Sequence, residues 1–341
     1  MERIDPRMTA ALQDILRNAS QIVTVSHTHP DGDAVGSSFG MARWLRSCGK
    51  EVCSLFPDPV PSTLDFMFTE EDRACCLTDS EQPEQARAAL SRADLILCLD
   101  FPAFHRAESL EIPLQESNAR KVLIDHHLHP DREAFDLCFS ETEISSASEL
   151  AFWVLDALGA ELPVDAATSL MTGMTTDTNN FANSTYPSTL EMASRLLALG
   201  VDRDALVAEI YQSYDERRLR AMGLLLQEMT IMPEGVAYMI LDGKRRDAFG
   251  LEDGDTEGFV NLPLAIGRVR LTIFLREEKD GLFRVSIRAK RGSSANQLAR
   301  KWFHGGGHEL AAGGKLFFPQ DIPTPADAAA YIEKAIHEDL R

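Results

Sequence analysis

Residues 22–36 read Ile22-Val23-Thr24-Val25-Ser26-His27-Thr28-His29-Pro30-Asp31-Gly32-Asp33-Ala34-Val35-Gly36. The first four side chains are β-branched, which favours a pleated and buried strand. The chain then turns polar, and Pro30, Asp31 and Gly32 carry the chemistry of a tight loop. From Ala34 to about residue 48 the pattern is helical. Strand, polar loop and helix in that order form the opening half of a β–α–β unit. Working outward, 51–56, 95–99 and 121–124 are further strand candidates, and helical patterns cover 146–158, 164–174, 188–199 and 203–211. Strands alternating with helices predict a parallel sheet covered on both faces. In such sheets, sites collect at the carboxyl ends of the strands.

The pattern changes after about residue 214. Residues 215–229 read as one long charged helix, followed by alternating strand-like runs at 236–241, 268–275 and 282–287. Helical patterns return at 294–303 and 326–340. The expected architecture is α/β throughout. An N-terminal parallel-sheet domain spans 1–205, a helical connector 206–229, and a smaller mixed-sheet domain 230–341. A length of 341 residues suits two domains.

Lys and Arg number 34 against 53 Asp and Glu, a formal charge of −19. That excludes a broad basic surface for long duplexes or anionic membranes. No apolar stretch approaches the roughly 20 residues of a membrane helix. The first 17 residues mix Glu, Asp and Arg and lack the apolar core of a secretory peptide. The six cysteines (Cys48, Cys53, Cys75, Cys76, Cys98, Cys138) contain no CxxC pair and read as reduced thiols of a cytoplasmic protein. Against this acidic background, residues 268–304 hold ten basic side chains and three acidic ones, a local +7. Such a concentration raises an anion-binding surface to equal standing with an ordinary solvated face.

Four segments carry histidine and aspartate where strands or helices end. They are His27 with Asp31 and Asp33; Asp100 after the apolar run 95–99; Asp125-His126-His127 after 121–124; and Thr176-Asp177 after 164–174. Singly, each has an ordinary reading. Asp31 and Asp33 suit a turn and a helix N-cap, Asp100 the end of a strand, and Asp177 a surface turn. Together they would converge at one edge of one sheet. Aspartate oxygens and imidazole nitrogens suit divalent ions of intermediate hardness, Mn²⁺ first, with Mg²⁺, Co²⁺ or Zn²⁺ as alternatives. Asp31, Asp33, Asp100 and Asp177 carry −4, which two dications would cancel. Crowded without metal, the same carboxylates would repel one another.

These residues resemble the DHH phosphoesterase superfamily, named for the tripeptide Asp125-His126-His127. The order of segments matches, as do Thr256-Glu257-Gly258-Phe259-Val260-Asn261, Val285-Ser286-Ile287-Arg288 and Gly305-Gly306-Gly307-His308. The last three are similar to the family's associated C-terminal domain. Length and tail resemble the bacterial branch that acts as oligoribonuclease and 3′-phosphoadenosine 5′-phosphate phosphatase. Two departures stand out: His304 occupies the first place of what is usually a run of four glycines, and Asn179-Asn180 follow Thr178 where relatives often have glycine.

The resemblance implies a metal-dependent hydrolase with two bound metals. His27, Asp31 and Asp100 would hold one, and Asp33, Asp100, His126 and Asp177 the other, with Asp100 bridging. Asp125 would orient an imidazole, and His127 would face the scissile phosphate. Arg288, Lys290, Asn261, Gly305, Gly306, Gly307 and His308 would bind substrate. Short single-stranded oligonucleotides, linear dinucleotides and 3′-phosphoadenosine 5′-phosphate fit a short basic cluster; long duplexes do not. A homodimer is also implied. Two other readings stay open: a polyphosphate or pyrophosphate hydrolase, which shares the metal chemistry but needs no base pocket, and a nucleotide-binding module without catalysis.

Overall fold

The structure, a computed structural model, describes residues 4–252, 254–278 and 281–339. Lys279 and Asp280, counted in the basic stretch, and Leu340, expected to end the last helix, lie outside the described residues, as do residues 1–3 and 341. The chain divides into two units, Met1–Ser213 and Tyr214–Arg341.

The first unit is built on strands β1 (Gln21–Val25), β2 (Glu51–Phe56), β3 (Cys76–Thr78), β4 (Leu95–Leu99), β5 (Arg120–Asp125) and β6 (Leu137–Ser140). They lie in the order β3-β2-β1-β4-β5-β6, and every pairing is parallel. Strand order reverses between β1 and β4, so loops leaving those two strands diverge and open a crevice at their carboxyl ends. Helices α1 (Pro6–Asn18), α2 (Gly32–Ser47), α3 (Glu70–Cys75), α4 (Pro83–Arg92), α5 (Glu111–Glu116), α6 (Ala147–Ala157), α7 (Val164–Asp177), α8 (Pro187–Ala198) and α9 (Arg203–Gln212) surround the sheet.

Alternate strand residues feed two cores, as a period of two requires. Ile22, Leu95, Leu97, Leu99, Val122 and Ile124 pack with residues of α1, α2, α6, α7 and α8. Val23, Val25, Ile96, Cys98 and Leu123 pack with Ala86, Leu90, Leu110 and Leu114 on the other face. Helices α2 and α7 approach closely because Gly36 faces backbone: a Cβ there would lie 2.7 Å from the Ser169 carbonyl oxygen. Buried Arg43 ties this pair to its surroundings, donating to Asp72 (3.0 Å from Nε), Ser169 (2.6 Å) and the Asp165 carbonyl (2.9 Å).

The second unit carries β7 (Thr230–Ile231), β8 (Val236–Leu241), β9 (Leu271–Glu277), β10 (Leu282–Ala289), β11 (Gly306–Gly307) and β12 (Ala311–Phe317), ordered β11-β12-β10-β9-β8-β7. Only the β8–β9 pairing is parallel among these, so the sheet is mixed, as expected. Its helices are α10 (Glu216–Glu228), α11 (Gly243–Phe249), α12 (Ala295–Trp302) and α13 (Ala328–Asp339). One face of the sheet packs Ile273, Phe283, Val285 and Ile287 against Leu298, Phe303, Ile332 and Ile336. The other packs Met239, Leu241 and Phe274 against Ala221, Leu225 and Phe259.

Residues 206–229, read as a connector, contain the end of α9 and all of α10. Each helix has its own aspartate cap: Asp202 accepts from the Ala205 amide and Asp215 from the Arg217 amide. In the second unit, Arg218 is 6% exposed. It lies 4.0 Å over the Tyr214 ring and donates to the carbonyls of Gly254 (3.2 Å) and Glu257 (2.7 Å), holding the loop that leads to Asn261.

Candidate metal centre

The switch point of the first sheet supplies most of the centre. His27 stands two residues beyond β1, Asp100 directly follows β4, and Asp125 ends β5 with His126 and His127 behind it. Asp31 caps α2, its Oδ1 accepting from the amides of Asp33 (3.0 Å) and Ala34 (3.1 Å). The helix therefore starts at Gly32, two residues before the expected Ala34, with Asp31 as its N-cap, and Asp31 stands at the site as well. Asp177 arrives differently. It is the last residue of α7, so a helix end, not a sheet edge, delivers it.

Asp100 is the hub. It is 2% exposed, and its backbone holds a positive φ of 64°, a left-handed conformation that Asp tolerates better than most residues. Its Oδ2 lies 3.5 Å from His27 Nε2 and its Oδ1 3.3 Å from His126 Nε2. His27 Nε2 is also 3.9 Å from Asp31. His126 Nε2 is 3.6 Å from Asp177 and 3.9 Å from Asp33. His127 Nδ1 bonds Asp125 Oδ1 at 2.7 Å and lies 3.7 Å from Asp100. All six expected ligands thus come together, in two groups that share Asp100.

Among the described residues of the first unit, three sets of ligand atoms, each within 4.8 Å of one another, could hold a metal ion: His27-Asp31-Asp100, Asp33-Asp100-His126 and Asp100-Asp125-His127. The donors fit such an ion. Asp100 Oδ1 and Asp125 Oδ2 are buried and accept no well-formed hydrogen bond among the described residues, a costly state unless a cation or water completes it. His27 Nδ1 contacts the Thr28 carbonyl at 2.8 Å, which fixes the ring with Nε2 facing the carboxylates.

The electrostatics describe a site strained by its own charges. Burial pushes Asp33 up, and the charges of Asp100 and Asp177 push it further. Burial likewise lifts Asp177, to about 6 against an ordinary 3.8. Burial opposes charge on His27, but contact with Asp100 and the charge of Asp31 override it and raise its pKa to about 9. His126 is raised for the same reasons, with Asp100 and Asp177 as its partners. Burial would lift Asp100 too, but the imidazoles of His126 and His27 hold it well below the usual carboxylate range.

One supporting group escaped sequence reading. Both oxygens of Asp33 accept backbone N–H groups at the start of α6, from Ala147 (2.6 Å) and Ser148 (2.9 Å). A helix N-terminus favours a carboxylate, so α6 helps to keep Asp33 in place. The local signal was Ser146, whose side chain accepts from the Glu149 amide as an N-cap. Nothing in the sequence said that this helix would meet residue 33. Asp58 also supports the site: it accepts from the His29 amide (2.8 Å) and from the Thr28 hydroxyl.

The residues expected to bind substrate lie in the second unit. Arg288 is half-buried in β10, and its guanidinium donates to the Ile287 carbonyl (3.0 Å). Lys290 falls one residue beyond the strand, with Nζ 3.0 Å from the Ile266 carbonyl. Asn261 sits in the 3-10 turn Phe259–Ala265. Among the glycines, Gly305 has a packing reason: a Cβ there would lie 1.9 Å from the Gly313 carbonyl oxygen. Its amide donates to Ala299 (3.2 Å), so that N–H is committed within the fold. Gly306 and Gly307 pair with β12, and His308 follows them.

Comparison with known proteins agrees with this geometry. Residues 21–174 match the DHH family, N-terminal domain. The chain is 31% identical to the bifunctional oligoribonuclease and PAP phosphatase NrnA of Thermus thermophilus, over 86% of this chain and 84% of that protein. It is 28% identical to the protein of the same name from Bacillus subtilis, over 87% and 89%. Among solved structures, an exopolyphosphatase-related protein from Bacteroides fragilis superposes with a TM-score of 0.92 at 34% identity, covering 99% of this chain and 98% of that one.

Proposed function

The chain belongs to the DHH family, and from that premise we propose that it hydrolyses phosphoester bonds in short oligonucleotides, linear dinucleotides and 3′-phosphoadenosine 5′-phosphate. The observation that carries this reading is the pair of contacts at Asp100, whose two oxygens face two different imidazoles. A carboxylate so placed would belong to both groups of donors. His27, Asp31 and Asp100 would hold one, and Asp33, Asp100, His126 and Asp177 the other, with Mn²⁺ the best match to the donors. Divalent cations at such a site lower the pKa of a bound water and offset charge on phosphoryl oxygens.

The chain's own groups do the rest. Asp125 holds the His127 ring by Nδ1, which leaves Nε2 to give a proton to the departing ribose oxygen. The ligand carboxylates bring as much negative charge as two dications bring positive, so a phosphate needs further cations. Arg288, Lys290 and His308 are the cations that the second unit would contribute to such a substrate, and Asn261 an amide. Gly306 and Gly307 keep backbone close to the bound anion.

The test is Asp100→Asn, which keeps side-chain size and tolerates the positive φ. Loss of even a supporting partner at a metal site costs about 10–100-fold, so this variant should lose at least a hundredfold in Mn²⁺-dependent turnover while its circular dichroism stays native. Substantial turnover by the variant contradicts the reading. The same assay run with a linear dinucleotide, 3′-phosphoadenosine 5′-phosphate, pyrophosphate and polyphosphate separates nucleotide hydrolysis from polyphosphate hydrolysis.

A further inference from the structure

Beside the glycine segment, the second unit has a polar groove of about 490 Å³. Its walls are Asn296, Gln297, Arg300 and Lys301 of α12, Ser294 at the head of that helix, and Glu309 from the loop after His308. Asn296 and Arg300 are four residues apart and so share one helix face. Gly306 borders them: a Cβ there would stand 3.6 Å from Asn296 Oδ1 and 3.8 Å from Arg300 Cγ, ordinary contact distances.

The side chains differ in commitment. Lys301 is tied to Asp339 at 2.7 Å, and the Ser294 hydroxyl accepts the Gln297 amide at 3.1 Å. The side chains of Asn296, Gln297 and Arg300, by contrast, make no hydrogen bond or ion pair among the described residues. The groove thus presents two carboxamides, one guanidinium and one carboxylate with unused bonding capacity. Carboxamides match the donor–acceptor edges of nucleobases. A guanidinium binds phosphate by two parallel bonds or stacks on a base. The Glu309 carboxylate accepts from ribose hydroxyls or exocyclic amines. The volume suits a small ligand.

We infer that this groove is a nucleoside subsite, with Arg300 on a phosphate and Asn296 and Gln297 on the base. It rests on the reading of the chain as a nucleotide phosphoesterase and says which part of the substrate confers preference.

The experiment uses the full chain and the variants Asn296→Ala and Arg300→Ala, both at helical positions where alanine is favoured. Each is assayed with Mn²⁺ on a linear dinucleotide and on bis(p-nitrophenyl) phosphate, which has no base or ribose. Adenosine 5′-monophosphate is also titrated into each metal-free protein. The expected result is a loss of tenfold or more in kcat/KM for the dinucleotide relative to the aryl ester, mostly in KM, with a matching loss of mononucleotide affinity. Equal losses on both substrates, or unchanged mononucleotide affinity, overturn the assignment. A wild-type chain that cleaves nothing but binds the mononucleotide through these residues keeps the subsite and removes the hydrolase reading instead.

Discussion

At the scale of single residues, the centre is a set of side chains whose protonation is set by one another. Four of them shift upward: Asp33, Asp177, His27 and His126. A group whose pKa is raised by folding contributes stability below its unfolded value and loses it as pH climbs through the folded value. For Asp177 that window runs from 3.8 to about 6, and for His27 from 6.5 to about 9. Asp100 shifts downward, so its contribution is lost only on acidification below the ordinary carboxylate value. Between pH 5 and 9, therefore, the centre of the metal-free protein weakens steadily. With chelator present, the melting temperature should fall by several degrees over that range, each kcal/mol being worth about 2–4 °C in a domain of this size. Saturating Mn²⁺ displaces the same protons and should flatten the slope. A chelated protein whose melting temperature does not depend on pH would count against this electrostatic account. The six expected ligand positions could be picked out because each is an aspartate or histidine in a segment that ends or follows an apolar run. Asp58 and the amides of Ala147 and Ser148 were not, because backbone donors and a lone loop aspartate leave no pattern until the chain is folded.

At the scale of elements, the crossing of α2 and α7 decides how tightly the centre is framed. Gly173 lies in α7 facing the start of α6, and a Cβ there would come within 2.0 Å of Ser148 Oγ and 2.8 Å of Asp33 Oδ1. Glycine inside a helix is normally improved by alanine, by about 1 kcal/mol. At Gly173 the sign should reverse, with Gly173→Ala losing about 1–3 kcal/mol through overpacking. Gly223 in α10 is the control, since a Cβ there meets nothing within 4 Å. Urea titration of both variants checks the contrast, and a stabilised Gly173→Ala would show that α6 and α7 have room to part. The elements themselves were legible where they are long. Strands β2, β4 and β8 have the bounds their apolar runs gave. The short strands β3 and β6 were missed, because three or four residues at a sheet edge show no periodicity. Strand β12 was missed because Ala311-Ala312-Gly313-Gly314 looks like loop in sequence. It is a strand because β10 offers it a full antiparallel partner, from Leu282 opposite Phe317 to Arg288 opposite Ala311. Strand β9 starts at Leu271, not 268, since Ile266 closes a turn onto the Val269 amide.

At the scale of the whole molecule, the formal charge of −19 restricts partners by size. Four of the acidic residues are the aspartates of the centre. Of the basic stretch 268–304, Lys301 pairs with Asp339, which lies outside that stretch, so less than its formal excess is available to a ligand. A duplex of 20 base pairs should therefore fail to inhibit dinucleotide hydrolysis at 0.15 M salt, even at micromolar concentration; strong competition would reveal a basic track that these residues do not form. No helix among the described residues is long and apolar enough to cross a membrane. The order of the ligands along the chain also matters. His27 comes from the first strand, Asp100 from the fourth, His126 from behind the fifth, and Asp177 from the end of α7. About 150 residues separate the first expected donor from the last, and no single segment holds the whole of the second expected ligand group. His27, Asp31 and Asp100 all lie within the first 100 residues, whereas the group around His126 is completed only by the last residue of α7. A chain that stopped short of the end of α7 would lack Asp177 and leave the second expected ligand group one carboxylate short.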